Sequence, residues 1–241
     1  MAKSPHKPPR FRIRYTEPRS EDGPGPHSTD QSDRVEETTH PRTLWTRVHD
    51  ATAEATRGRV WWYRVPLLIP FAWVFFRYLV DSDYGSIFEG LNLALHEGGH
   101  LFFMWFGSEF LGVAGGTLLQ CLCPIATGIM FYKQRDFFAI GIACFWLGTN
   151  FANIAPYAAD ALTQLLPLVS PFSGAPGHDW NYLLGTLGLL SQDRLIGGAF
   201  QVAGILTMAA GLLACGWVLR VMAVVNGAEQ SLDPFEHGSA P

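Results

Sequence analysis

The chain has 241 residues, a formal charge of -4 and four cysteines. No basic face accompanies a recognisable nucleic-acid fold, so nucleic acid is excluded as an expected partner. Cys121, Cys123, Cys144 and Cys215 all fall in apolar stretches, where a thiol usually serves as packing. Cys121 and Cys123 flank a single residue, which is not the CxxC spacing of a zinc ribbon or redox pair. The charges are unevenly distributed: 11 of the 17 Lys and Arg lie at or before Arg59, and long apolar stretches follow. That division predicts a membrane body behind a solvated tail.

Residues 1–42 mix Pro, Gly, Ser and both charge signs, with too little apolar surface to offset the entropy of ordering, and read as a disordered tail. No secretory signal core is present there, so the first span is expected to target the chain. Residues 43–59 turn helical in pattern. Leu44, Val48, Ala51 and Ala55 share a face with Trp45 at its edge, which predicts an interfacial helix, a solvated linker being the alternative.

Residues 60–226 form the expected membrane body, and residues 227–241 a C-terminal tail. A crossing helix needs about 20 residues at about 1.5 Å each. Five windows qualify: about 61–80, with Pro66 and Pro70 as kinks; 87–106; 112–132; 137–158; and 196–225. The stretch from Leu162 to Arg194 is punctuated by Pro and Gly and predicts a loop with a half-helix folding over or into a site. The fold expected is an all-α polytopic helix bundle of about five spans with a broken or re-entrant segment. Arg47, Arg57, Arg59 and Arg64 assign the N-terminus to the cytoplasm. Five simple crossings would nevertheless put Lys133 and Arg135 outside, so either the N-terminal charges prevail or one segment is re-entrant.

The second window holds His96-Glu97-Gly98-Gly99-His100. Residues four apart lie on one helix face, so both imidazoles can reach one zinc ion, with Glu97 beside it as general base. This pattern arises by chance in roughly one such chain in a hundred. Only three of the eight His, namely His96, His100 and His178, lie in the membrane body, where ionisable groups are expensive and usually functional. Phe103 and Phe106 stand where a metzincin needs Gly and His. Glu109 and Glu229 are poorly placed as a gluzincin-like third ligand. Asp160, His178 and Asp179 remain as candidates, with capping of a helix by Asn153 and Asp160, or by Asp179, as the bland alternative. Gly98 and Gly99 let another segment or a substrate approach the backbone. Gly112, Gly115 and Gly116 suggest an extended edge for a substrate strand, or a plain turn.

In these motifs the chain resembles the site-2 protease family, which pairs HExxH in one span with an Asp ligand in a later one, after an Asn-x-x-Pro turn. Here that run is Asn153-Ile154-Ala155-Pro156, followed by Asp160, and Gly116 to Gln120 takes the place of a Gly-Pro-x-x-Asn motif. The resemblance covers about residues 90–162. It implies zinc held by His96, His100 and Asp160, Glu97 as the catalytic base, and a membrane-protein or peptide substrate cut in or near its transmembrane segment. The chain is also similar to bacterial membrane proteins that combine HExGH, a Gly-Gly-x-x-x-Gln stretch, Tyr-x-x-Asp-Ala and His-Asp-Trp. That similarity implies a bacterial inner (plasma) membrane and puts His178-Asp179 near the metal beside Asp160. A non-proteolytic metal-binding or transport protein, or an accessory membrane subunit, stays open as the alternative.

Overall fold

A computed structural model describes residues 43–81, 84–166 and 178–232, with side chains to residue 228. The expected disordered tail, residues 1–42, lies outside the described residues. Every regular element among the described residues is a helix: α1 Leu44–Thr56, α2 Val65–Val80, α3 Glu89–Met104, α4 Glu109–Lys133, α5 Phe137–Ala159, α6 Asp179–Thr186 and α7 Asp193–Leu232, with short 3-10 turns at Trp62–Arg64 and Leu190–Gln192. Among the described residues, four stretches are long and apolar enough to cross a membrane: Trp62–Val80, Glu109–Lys133, Phe137–Ala159 and Leu190–Ala228. The protein is an all-α polytopic membrane bundle.

The two central spans, α5 and α7, meet through glycine. A Cβ added at Gly141 would strike the Gly211 carbonyl and Cys215, one at Gly148 the Gly204 carbonyl and Met208, and one at Gly197 the Ala155 carbonyl and Ala159. These positions recur every seven residues in both helices and run antiparallel, so one register brings backbone against backbone along the whole contact. Lipid offers helices no hydrophobic reward for associating, and this close packing supplies the attraction instead. Opposite that seam, Leu195, Val202, Leu206 and Leu213 of α7 are exposed, as are Ile69, Trp73 and Phe76 of α2, and they suit a lipid surround.

One end of the bundle is knit by charge. Asp136 caps α5 by accepting from the Ala139 amide, receives two hydrogen bonds from Arg64 at 3.0 and 3.2 Å, and pairs with Arg59 at 3.3 Å. Asn226 near the end of α7 donates to the Arg59 carbonyl, and Arg135 pairs with Glu54 of α1. Burial pushes the Asp136 carboxyl up, but Arg64, the Ala139 amide and Arg59 more than reverse this and hold it below the usual carboxylate range.

Several expectations are corrected. The second window becomes α3, whose 16 residues span about 24 Å and fall short of a crossing. Phe88, just before α3, packs on Phe71 and Phe145, well inside α2 and α5. Residues 84–88 therefore lie back inside the bundle from the far end of α2, and α3 climbs out again: this is the re-entrant element. In α1 the buried residues are Thr52 and Thr56, with Trp45 against Trp217, while Leu44 and Val48 are exposed. Where lipid is near, the apolar face need not be the inward one. The Thr hydroxyls are satisfied by the Val48 and Thr52 carbonyls. Pro156 does not break α5, which continues to Ala159, and α7 continues through Leu232 into the expected tail. All four cysteines are free.

Gly148→Ala and Gly211→Ala should each lower the thermal midpoint in detergent by the equivalent of about 1–3 kcal/mol. Gly198→Ala and Gly216→Ala, where an added Cβ meets nothing within 4 Å, should leave it unchanged or raise it. Because the Asp136 carboxyl is lowered in the fold, its stabilising contribution is complete above about pH 4 and is lost as pH falls through the lowered value. Acid unfolding followed by circular dichroism should lose part of its pH dependence in Asp136→Asn.

Candidate metal centre

The α3 and α4 helices form a tight hairpin because neither carries side chains where they cross. A Cβ at Gly99 would overlap the Gly115 carbonyl, and one at Gly115 would meet the Gly99 carbonyl and Phe103. Gly98, by contrast, has only the tip of Leu119 at 3.9 Å. The expected extended edge at Gly112 to Gly116 is instead helical, lying inside α4. Its glycines serve helix contact, and one of them does more. A Cβ at Gly116 would sit 2.7 Å from His96 Nε2 and 2.6 Å from His100 Nε2. The space between the two rings exists only because residue 116 has no side chain.

Each imidazole is oriented from behind. His100 Nδ1 donates to the Gly112 carbonyl at 2.9 Å, and His96 Nδ1 donates to Gln120 Oε1 at 2.8 Å. Gln120 is oriented in turn, since its amide nitrogen lies 3.5 Å from the Asn150 carbonyl. A carbonyl oxygen only accepts, so each Nδ1 carries a hydrogen, and in the neutral imidazole each Nε2 then presents its lone pair. Both Nε2 atoms point at the same oxygen, Asp179 Oδ2, at 3.0 Å from His96 and 3.2 Å from His100. Two neutral rings would set two lone pairs against a carboxylate oxygen, so the cluster calls for positive charge among its three atoms, from a proton on Nε2 or from a metal ion.

Asp179 reaches this position because α6 is pinned to the end of α5. His178 caps α6, its Nδ1 accepting from the Asn181 amide at 3.2 Å. Asn181 donates to the Ala161 carbonyl at 2.8 Å, and the Asp179 amide donates to Tyr157 Oη at 3.3 Å. The Tyr157 ring lies against His178, with centroids 4.4 Å apart. Burial holds the His178 imidazole below its usual value, despite the nearby Asp160 and Asp179 charges. With Nδ1 accepting, its hydrogen is on Nε2, which is buried and faces Asp160 Oδ2 at 3.8 Å.

The sequence-predicted residues therefore separate. His96, His100 and Asp179 come together, each offering one ligand atom within 4.8 Å of the others. Asp160, expected as the third ligand, is not among them. It ends α5 and organises the next turn, accepting from the Thr163 hydroxyl at 2.6 Å and the Leu165 and Leu166 amides at 2.9 and 2.8 Å. Buried Glu97 follows His96 in α3. Asn153 lies one turn before Tyr157 in α5 and accepts from Asn92, itself one turn before His96. It ties α3 to α5 beneath the rings. Sequence reasoning gives Gln120 and Tyr157 no role beside the rings and Gly116 only a place on a substrate edge, although Gly116 and Gln120 repeat in α4 the four-residue spacing of His96 and His100 in α3.

The donor set fits a transition metal. A tetrahedral ion with bonds of about 2.0–2.2 Å needs ligand atoms about 3.3–3.6 Å apart, somewhat more than the 3.0 and 3.2 Å found. Two imidazoles and one carboxylate leave a fourth position open, as catalytic zinc sites do, and each ring has the acceptor on its other nitrogen that metal-ligating histidines use. Compared with family models, with curated proteins and with solved structures, the chain matches none.

Gly116→Ala should abolish binding of added zinc in a calorimetric titration, while Gly128→Ala, whose Cβ would make only ordinary contact with Ala143, should not. Gln120→Leu, which removes the acceptor behind His96, should weaken zinc by about 10- to 100-fold.

Proposed function

We propose that the chain is a zinc-dependent intramembrane peptidase, of the type that the resemblance to site-2 proteases suggests. It would hydrolyse a peptide bond in or near the transmembrane segment of a membrane-protein or peptide substrate. The observation that carries this reading is the convergence of His96 Nε2 and His100 Nε2 on one oxygen of Asp179, with both Nδ1 atoms already committed to acceptors. His96, His100 and Asp179 would hold the ion, with Asp179 in the place that the resemblance gave to Asp160. Bound there, zinc supplies Lewis acidity, lowering the pKa of an adjacent water towards neutrality and polarising a carbonyl.

Glu97 has the chemistry the reaction then requires. A carboxylate next to the ligand set takes the proton from water as the oxygen attacks the peptide carbonyl, and returns it to the departing amine. Gln120 and the Gly112 carbonyl keep the rings in the tautomer that leaves Nε2 free. Tyr157 and Asn181 hold the start of α6 so that Asp179 faces α3.

Metal passage, the rival reading, would need a polar path on both sides of the ion. A buried polar ladder does leave the site, through Gln120, Asn150, Trp146, Asn92 and Asn153. Its members are largely engaged with one another, which suits a structural network tying α3, α4 and α5 together better than a route for ions.

Metal analysis of the purified protein separates these roles. Asp179→Asn and His96→Ala should lose zinc, whereas Asp160→Ala and Glu97→Gln should keep it. In a proteolysis assay on a model transmembrane peptide, Glu97→Gln should lower turnover by about 10²- to 10⁴-fold. Zinc lost from Asp160→Ala but kept in Asp179→Asn would overturn the ligand assignment. Unchanged cleavage in Glu97→Gln would overturn the hydrolytic one.

A further inference from the structure

The two ends of the bundle differ in charge, and the metal centre belongs to only one of them. Arg64 at the start of α2, Asp136 between α4 and α5, and Asn226 near the end of α7 all meet around Arg59 and define one end. Since α2, α4, α5 and α7 each cross once, the end of α2, the start of α4, the end of α5 and the start of α7 define the other. The centre is built at this second end. Gly112, Gly116 and Gln120 lie in the first half of α4, and Gly116 is about 10 Å below the first residue, Glu109. Tyr157 is two residues from the last residue of α5, and α6 with Asp179 lies in the connection between α5 and α7.

Of the nine Lys and Arg in residues 43–232, all but Arg77 and Arg194 belong to the Asp136 end. Asp81, Glu109, Asp160, Asp179 and Asp193 belong to the other. The five-span reading could not reconcile the N-terminal basic residues with Lys133 and Arg135. The re-entrant α3 does so, because it removes one crossing and brings Arg135 to Glu54 of α1. An excess of Lys and Arg in short segments flanking membrane helices marks the cytoplasmic side.

We infer that the Asp136 end is cytoplasmic and that the His96, His100 and Asp179 centre opens to the extracytoplasmic side of the membrane. The ion is loaded from that side. If the hydrolytic reading above holds, on which this last step rests, the substrate is the extracytoplasmic end of a membrane segment or the chain just outside it.

The test is labelling of single added cysteines with a membrane-impermeant maleimide, on the full-length protein in right-side-out spheroplasts and in inverted vesicles. The unsubstituted chain gives the background from the four native thiols. Thr186→Cys, exposed at the end of α6, should label in spheroplasts and not in inverted vesicles. Gln134→Cys, exposed between α4 and α5, should show the reverse. Trp105→Cys and Lys133→Cys are equivalent reporters should either variant fail to accumulate. The opposite pattern overturns the inference but leaves zinc binding and hydrolysis as they stood. Labelling of both reporters from the same side overturns it as well, because the two ends would then not face opposite sides of the bilayer.

Discussion

Close approach of helix backbones at glycine is the constraint on which this structure depends. Helices in lipid gain no hydrophobic free energy by meeting, so their attraction comes from surface brought into contact, and a side chain in the seam would separate the backbones. Along α5 and α7 the pairs Gly141 with Gly211, Gly148 with Gly204 and Ala155 with Gly197 set one antiparallel register. That register puts Asp136 with Arg64 and Arg59 at one end, and the close of α5 with the start of α7 at the other. Gly99 and Gly115 do the same for α3 and α4, and the candidate metal centre is a consequence of that hairpin.

Satisfaction of polar groups is the second constraint, and it determines the chemistry. A bilayer core provides no water to complete a hydrogen bond, so each imidazole must find its partner within the protein. The Gly112 carbonyl, which helix geometry would normally direct to an amide one turn on, also accepts from His100. Gln120 accepts from His96. Once both Nδ1 hydrogens are placed, both Nε2 atoms are directed into the same space, where Gly116 leaves room and Asp179 closes the third side. Positive charge among these three atoms, carried by a proton on an imidazole or by a metal ion, is what holds them together. They are also the atoms that could hold a metal ion.

Asp160 and Asp179 show how two carboxylates near one site divide the work. Asp160 directs its oxygens to Thr163, Leu165 and Leu166, so it organises the turn after α5. Asp179, at the first position of α6, has its amide occupied by Tyr157 and its carboxylate free to face the rings. Asp179 thus sits on a short helix between spans, at the end of the bundle away from the basic rim.

Sequence by itself determined that the protein is a helical membrane bundle, because runs of about 20 apolar residues have no other stable form in lipid. It also determined that His96 and His100 share a face, because four residues make one helical turn. The seven-residue recurrence of Gly in α5 and α7 was equally present in the sequence, although its meaning depends on which helix faces which. Tertiary structure alone decided that α3 re-enters, that Gly112 to Gly116 is helix and not an edge, and that Asp179 is the carboxylate beside the rings. Those outcomes depend on contacts between residues 12 to 83 positions apart, such as His100 with Gly112, His96 with Gln120 and His96 with Asp179. Local spacing carries no information about such distances: Asp160 and Asp179 are both plausible along the chain, and only the docking of α6 against α5 distinguishes them.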